Sequence, residues 1–179
     1  MFGVEDATLA TLKGGIEAVV SEAGHRMAET DAEQGANLMI FLFRAWEELL
    51  AVPDLHRLVQ GLERMLPRLA AEGANQYRHF RFEQNGAIRA CTAFVRMDEA
   101  LAGMPADAVA LGLAVRSILL WSGSAFRDRA PIVRAEGRVI LSPEIAALIR
   151  AAYDPAMPEV ARDRSHALRL AARLHGRGL

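Results

Sequence analysis

The chain has 179 residues and a formal net charge of −1, and 52% of its residues are hydrophobic and 24% charged. This composition supports a sizeable buried core and excludes an intrinsically disordered protein. The near-zero net charge provides no overall field that would favour a nucleic acid or a membrane surface. A single cysteine, Cys91, excludes a disulfide framework and a thiolate-rich metal site. The length suits one domain over residues 1–179.

The first residues of the chain do not resemble a secretory signal. Met1–Asp6 has neither a basic segment nor an apolar one. The longest dense apolar stretch, Leu38–Phe43, has six residues, whereas a membrane-spanning helix needs about 20. We therefore expect a cytoplasmic protein of bacterial type, without a membrane partner.

Charge is distributed unevenly along the chain. Residues 1–40 contain seven acidic residues against Lys13 and Arg26, a balance of −5. Residues 77–179 contain 15 arginines against 10 acidic residues, a balance of +5. Two halves of opposite charge can attract each other within one molecule or across a dimer, and both can also be ordinary solvated surfaces.

Apolar residues recur at helical spacing in the first 70 residues. They predict a helix over 9–27, where Gly14 and Gly15 would kink the helix or allow another backbone to come close. A second helix, over 38–49, would be apolar on most of its sides. A third helix is predicted over 55–69, and Gly73 suits the position after its end.

The middle of the chain leaves one segment undecided. Residues 74–86 fit a short strand, a helix or a turn, since Asn85-Gly86 is a favourable hairpin turn. This segment is also one option for a sub-boundary within the single domain. Further helices are predicted over 88–101, ended by Gly103, and over 105–119.

The last third of the chain contains one clear β signal. Residues 131–141 predict a β-hairpin around Glu136-Gly137, followed by a helix capped by Ser142 and Pro143. An Arg-rich helix over about 158–175 would follow, so that 131–179 forms an appendage. The fold class predicted is mainly α, a multi-helix bundle of seven or eight helices with one small β-hairpin near 131–141.

Signals for catalysis or metal binding are weak in this sequence. Glu22 and His25 have the spacing of two metal ligands on one helix face, and Asp163 and His166 repeat it on a strongly basic helix. A di-iron bundle needs two further carboxylates as well, and Glu22 suits an ordinary ion pair. Nucleophile motifs and glycine-rich phosphate loops are missing. We therefore name no catalytic residue, no metal ligand and no cofactor, and we expect Cys91 to be an inert core residue.

Arginine clusters make anion recognition an open alternative. Guanidinium groups suit bidentate contacts with phosphate or carboxylate. The residues named for a pocket that binds a small anionic or apolar molecule are His79, Arg81, Arg127 and Arg129. A nucleic-acid binder is a third option, through the arginines of the last helix at 162, 164, 169, 173 and 177.

The bulky residues concentrated in 38–66 carry the leading hypothesis. One helical bundle cannot bury a helix that is apolar on most of its sides, so part of its apolar surface would need a second copy of the chain to shield it from water. The function expected is a non-enzymatic interaction or regulatory protein that acts as a homodimer, with a possible protein partner. The interface residues named are Leu38, Phe41, Leu42, Trp46, Leu58 and Leu62.

Overall fold

The computed structural model describes residues 5–28, 35–119, 126 and 128–176. The chain divides into two compact units. The first comprises Met1–Asp6, Thr30–Glu83 and Ile88–Met104, and the second comprises Ala7–Glu29, Gln84–Ala87 and Pro105–Leu179. Among the described residues, no helix is both long enough and apolar enough to cross a membrane.

The first unit is built on a three-stranded sheet. Its strands are β1 (Leu38–Phe43), β2 (Gln76–Phe82) and β3 (Ile88–Arg96), in the order β1-β3-β2. β1 runs parallel to β3, with Leu38 opposite Cys91, and β2 runs antiparallel to β3, with Tyr77 opposite Phe94. β3 is the central strand, which explains why six consecutive residues of it, 90–95, are buried.

Helices connect β1 to β2 and cover one face of this sheet. A 3₁₀ helix (Trp46–Ala51) is followed by α2 (Leu55–Leu58) and α3 (Leu62–Ala71), and α4 (Glu99–Ala102) follows β3. Trp46 donates its Nε1–H to the carbonyl of Ala74 at 3.1 Å. The buried core of the unit consists of Phe41, Phe43, Trp46, Leu49, Leu55, Val59, Leu62, Leu66, Leu69 and Phe94.

The second unit is mainly helical. It contains most of α1 (Asp6–Glu22), then α5 (Ala106–Ile118), the hairpin of β4 (Ile132–Ala135) and β5 (Arg138–Leu141), α6 (Pro143–Ala152) and α7 (Ser165–Gly176). α5 is its central helix, with eight consecutive buried residues. Gly15 lets α1 approach α5 closely, because a Cβ there would lie 2.5 Å from Cβ of Ala110.

The prediction of a mainly α bundle is wrong, because the described residues are mixed α/β, with 48% of them in helices, 19% in strands and two sheets. The helix expected over 38–49 is instead β1 followed by the 3₁₀ helix, and the helix expected over 88–101 is β3 followed by α4. A strand buried on both faces is apolar throughout, so spacing alone does not separate it from a buried helix. The undecided segment 74–86 contains β2 and a turn.

Several local predictions are confirmed. α1 and α5 are helices, the hairpin pairs Ile132 with Leu141, and the Ser142 hydroxyl accepts a hydrogen bond from the backbone N–H of Ile145 at 3.5 Å. α1 ends earlier than expected, at Glu22, and Gly24, two residues beyond this end, has a φ of +74°. The helix expected over 55–69 is two helices, because α2 ends at Leu58 and α3 begins at Leu62. Gly61, in the break between them, has a φ of +75°, which a continuous helix does not allow.

Candidate functional site

The structure describes three of the four residues predicted to bind a ligand, and these three belong to two different units. His79 and Arg81 lie two residues apart on β2 in the first unit, so they share one face of the strand. Arg129 belongs to the second unit, where its guanidinium lies 4.0 Å from the carboxylate of Glu144. Arg127 lies outside the described residues.

The six predicted interface residues lie in the first unit. Phe41, Leu42, Trp46 and Leu62 are buried, and Leu38 and Leu58 are half-buried. Three of the buried ones belong to the core around Phe94, so the unit itself covers them. The apolar density of 38–66 therefore does not require a second copy of the chain, and the homodimer stays a prediction.

The predicted metal spacing of Glu22 and His25 has another structural explanation. The Glu22 carboxylate forms an ion pair with Arg150 of α6. The His25 ring packs edge-on against Tyr153, with 5.3 Å between ring centroids. No group of three or more potential metal-ligating side chains occurs in the part of the chain that the structure describes.

The second unit contains a groove of about 320 Å³ beside the beginning of α7. We call it the α7 groove. Its lining combines a turn between β2 and β3 with the segment that leads into α7, and it includes three side chains that can carry positive charge. The residues that line it are Asn85, Pro158, Glu159, Val160, Arg162, Asp163, Ser165, His166 and Arg169.

Asp163 fixes the beginning of α7. Its Oδ1 accepts the backbone N–H of Ser165 at 2.7 Å, and its carbonyl accepts the N–H of His166 at 3.3 Å. Hydrogen bonds from the side chain and backbone of Ser165 lower the pKa of Asp163 below its ordinary value, and the charges of Arg169 and His166 lower it further. Asp163 is therefore an anion that caps the beginning of the helix.

The second acidic residue of the groove, Glu159, also accepts a hydrogen bond. Glu159 Oε2 accepts a hydrogen bond from Asn85 Nδ2 at 3.2 Å. Asn85 Oδ1 in turn accepts the backbone N–H of Ala87 at 2.8 Å, which shapes the turn. Gly86 lies next to Val160, where a Cβ on the glycine would come within 3.4 Å of Cγ1. These contacts join the turn to the segment before α7.

The cationic side chains of the groove have unused donor capacity. Neither Arg162 nor Arg169 forms an ion pair with a carboxylate among the described residues. His166 is half-buried, and its Nδ1 is buried without a hydrogen-bond partner in the described part of the chain. A buried polar atom of this kind favours a ligand or a water that would satisfy it.

The side chains that line the α7 groove include donors of the kind that suit an oxyanion. Arg162 and Arg169 supply forked N–H donors, and the imidazole of His166 supplies one more. With a neutral imidazole, two arginines balance Glu159 and Asp163, so the formal charge is zero. Recognition would therefore depend on the placement of the donors more than on an excess of positive charge.

The arginines predicted to lie on one last helix do not all lie on α7, because Arg162 and Arg164 precede its first residue, Ser165. Arg173 forms an ion pair with Asp154 at 3.7 Å, and its side chain is 30% exposed. Arg162 and Arg169 line the α7 groove beside acidic residues. Arg177 lies outside the described residues. This arrangement gives little support to the nucleic-acid alternative.

The first unit has a smaller depression, of about 280 Å³. Its lining is largely aliphatic, and the only charged residues on it are Glu63 and Arg64, one of each sign, beside His56. Without converging donors, this depression is a weaker candidate than the α7 groove.

The sequence indicates separate parts of the α7 groove but does not indicate that they lie together. Asn85-Gly86 is one option for a turn in an undecided segment, and Asp163 and His166 have the spacing of metal ligands although no metal site is predicted there. The contact between Asn85 and Glu159 joins residues 74 positions apart, and no spacing pattern predicts it. No protein-family model, curated protein or solved structure matches the chain.

Proposed function

We propose that the protein binds a small molecule bearing an oxyanion, a phosphate or a carboxylate group, in the α7 groove. One observation carries the proposal. Arg162 and Arg169 converge with His166 in one groove whose two carboxylates already accept hydrogen bonds from Asn85 and Ser165. The donors that remain are suited to an external anion.

The chemistry of these donors supports an oxyanion more than an apolar ligand. Hydrogen bonds between a guanidinium and an oxyanion are stronger than those between neutral groups, and two arginines can hold two edges of one phosphate. The Nδ1 of His166 would gain the partner that the described residues do not supply. Asp163, Arg169 and His166 line the same groove.

Calorimetric titration with inorganic pyrophosphate tests this proposal. We expect saturable binding to the wild-type chain and a dissociation constant raised about tenfold or more in Arg162→Gln and in Arg169→Gln, because each loses a charged donor. Arg164→Gln is the matched control, since Arg164 is exposed at the same helix start but does not line the groove. Its affinity for pyrophosphate should stay within about twofold of the wild type.

Two results would refute the proposal. One is the absence of any binding by folded wild-type protein. The other is an equal loss of affinity in all three variants, because it would show that general positive charge, and not the groove, attracts pyrophosphate.

A further inference from the structure

The α7 groove is lined by charges of both signs that do not form ion pairs with each other. The guanidinium groups of Arg162 and Arg169 and the carboxylates of Glu159 and Asp163 all line it. No ion pair joins any two of these four side chains, although Arg162 follows Glu159 by three residues. Both signs of charge are therefore available to a ligand.

Glu159 keeps most of its capacity to accept hydrogen bonds. Its Oε2 accepts one hydrogen bond from Asn85 Nδ2 at 3.2 Å, and no other described residue donates to this carboxylate. An ionised carboxylate can accept about four hydrogen bonds. Since Glu159 is exposed and lines the groove, its second oxygen can accept a hydrogen bond from a ligand.

The two walls of the groove differ in formal charge. On the wall formed by the β2–β3 turn and residues 158–160, Glu159 is the charged residue, and the charge is −1. On the wall formed by residues 162–169, the lining residues Arg162, Arg169 and Asp163 sum to +1 when His166 is neutral. Asp163 is already bonded to Ser165, so Glu159 is the carboxylate that is free for a ligand.

The size of the groove exceeds that of an oxyanion alone. Its volume of about 320 Å³ corresponds to about ten water molecules at roughly 30 Å³ each. A phosphate group with its five non-hydrogen atoms would fill about half of this space. The rest of a ligand bound through its phosphate to the arginines would then extend beside Glu159.

We propose that the ligand of the α7 groove is a small free zwitterion, in which a short chain separates an oxyanion from an ammonium group. The proposal rests on the proposed function, because the oxyanion would bind to Arg162, Arg169 and His166. The ammonium group would donate a hydrogen bond to the free oxygen of Glu159. A ligand that carries only negative charge would instead be repelled by that carboxylate.

Calorimetric titration with two phosphates of equal size tests the proposal. 2-Aminoethyl phosphate has an ammonium group where propyl phosphate has a methyl group, and at about pH 8 both phosphates are dianions while the amine is cationic. The net charge is then about −1 for the former and about −2 for the latter, so general attraction to positive charge favours propyl phosphate. We expect 2-aminoethyl phosphate to bind about threefold more tightly, as suits one additional exposed ion pair.

The substitution Glu159→Gln removes the negative charge and keeps an oxygen that can accept the hydrogen bond from Asn85. We expect this variant to bind both phosphates with equal affinity, and its binding of propyl phosphate shows that the groove is intact. Glu136→Gln, at an exposed position in the β4–β5 turn that does not line the groove, is the matched control and should keep the preference.

Vesicles distinguish a free zwitterion from a lipid headgroup that carries the same two groups. We expect no cosedimentation with phosphatidylcholine vesicles that contain phosphatidylethanolamine, because the second ester of a lipid phosphate leaves one charged oxygen fewer for the arginines. Vesicle binding without binding of 2-aminoethyl phosphate would overturn the proposal.

Two further results would overturn the zwitterion proposal while leaving the oxyanion site in place. One is equal or tighter binding of propyl phosphate by the wild-type chain. The other is a preference for 2-aminoethyl phosphate that survives Glu159→Gln, because the ammonium group would then bind elsewhere. If neither these phosphates nor pyrophosphate bind, the proposed function fails and the zwitterion proposal fails with it.

Discussion

Gly86 lies in the turn between β2 and β3, beside the segment before α7. Its φ of +91° lies in the region that favours glycine, and a Cβ there would be in ordinary van der Waals contact with Val160. Gly86→Ala should therefore lower the free energy of unfolding by about 1 kcal/mol through backbone strain, and a turn that shifts to relieve this strain would separate Asn85 from Glu159 and weaken pyrophosphate binding. Urea unfolding and calorimetric titration measure the two effects.

The matched control for this substitution is Gly137→Ala in the β4–β5 turn. Gly137 has a φ of +78°, and a Cβ there would meet nothing within 4 Å. It should lower the free energy of unfolding by a similar amount of about 1 kcal/mol while leaving pyrophosphate affinity intact. Equal pyrophosphate binding by both variants would show that the turn does not shape the α7 groove.

At the scale of elements, the sheet of the first unit depends on Phe94 in β3. Phe94 is fully buried and stacks on Phe41, with 5.4 Å between ring centroids. Phe94→Ala should lower the free energy of unfolding by about 4 kcal/mol, because it removes a large side chain from a closed core. Chemical unfolding of the purified variant measures this loss.

The same substitution on β2 provides the comparison. Phe82 is 51% exposed, so Phe82→Ala should cost less than about 1 kcal/mol. Similar losses at Phe94 and Phe82 would contradict the assignment of β3 as the buried central strand.

The elements also show how far the sequence alone can predict this fold. α5 and the β4–β5 hairpin were predictable because their signals are local: apolar spacing, a turn pair and the Ser142 cap. β1 and β3 were not, because a continuous apolar run such as Leu38–Phe43 fits a buried helix as well as a buried strand. Only the pairing of β1 with β3, a long-range contact, separates the two.

The α7 groove was less predictable than the fold for a related reason. Each of its parts is ordinary in sequence: a turn at Asn85, an acidic cap at Asp163 and scattered arginines. Their chemistry arises when the turn meets the segment before α7, and Asn85 and Glu159 are far apart in the chain. Of the four ligand residues predicted from charge and aromatic neighbours, His79, Arg81 and Arg129 do not line the groove, and Arg127 lies outside the described residues.

At the scale of the whole molecule, the predicted homodimer is open to a direct test. Phe41, Trp46 and Leu62 belong to the core of the first unit, so they do not require a second copy to cover them. Light scattering at micromolar concentration measures the mass, and a value of 19.5 kDa, the mass of one chain, would contradict the homodimer. Twice that mass would support it, with an interface that uses residues other than the buried Phe41 and Trp46.

The proposed function depends most on the α7 groove, and the His166 side chain reports on that groove directly. Nuclear magnetic resonance of the histidine ring nitrogens during a pyrophosphate titration follows each of the five imidazoles separately. We predict that the Nδ1 resonance of His166 shifts and saturates while those of His56 and His79 stay in place. A titration that moves the other histidines and leaves His166 unchanged would contradict the account.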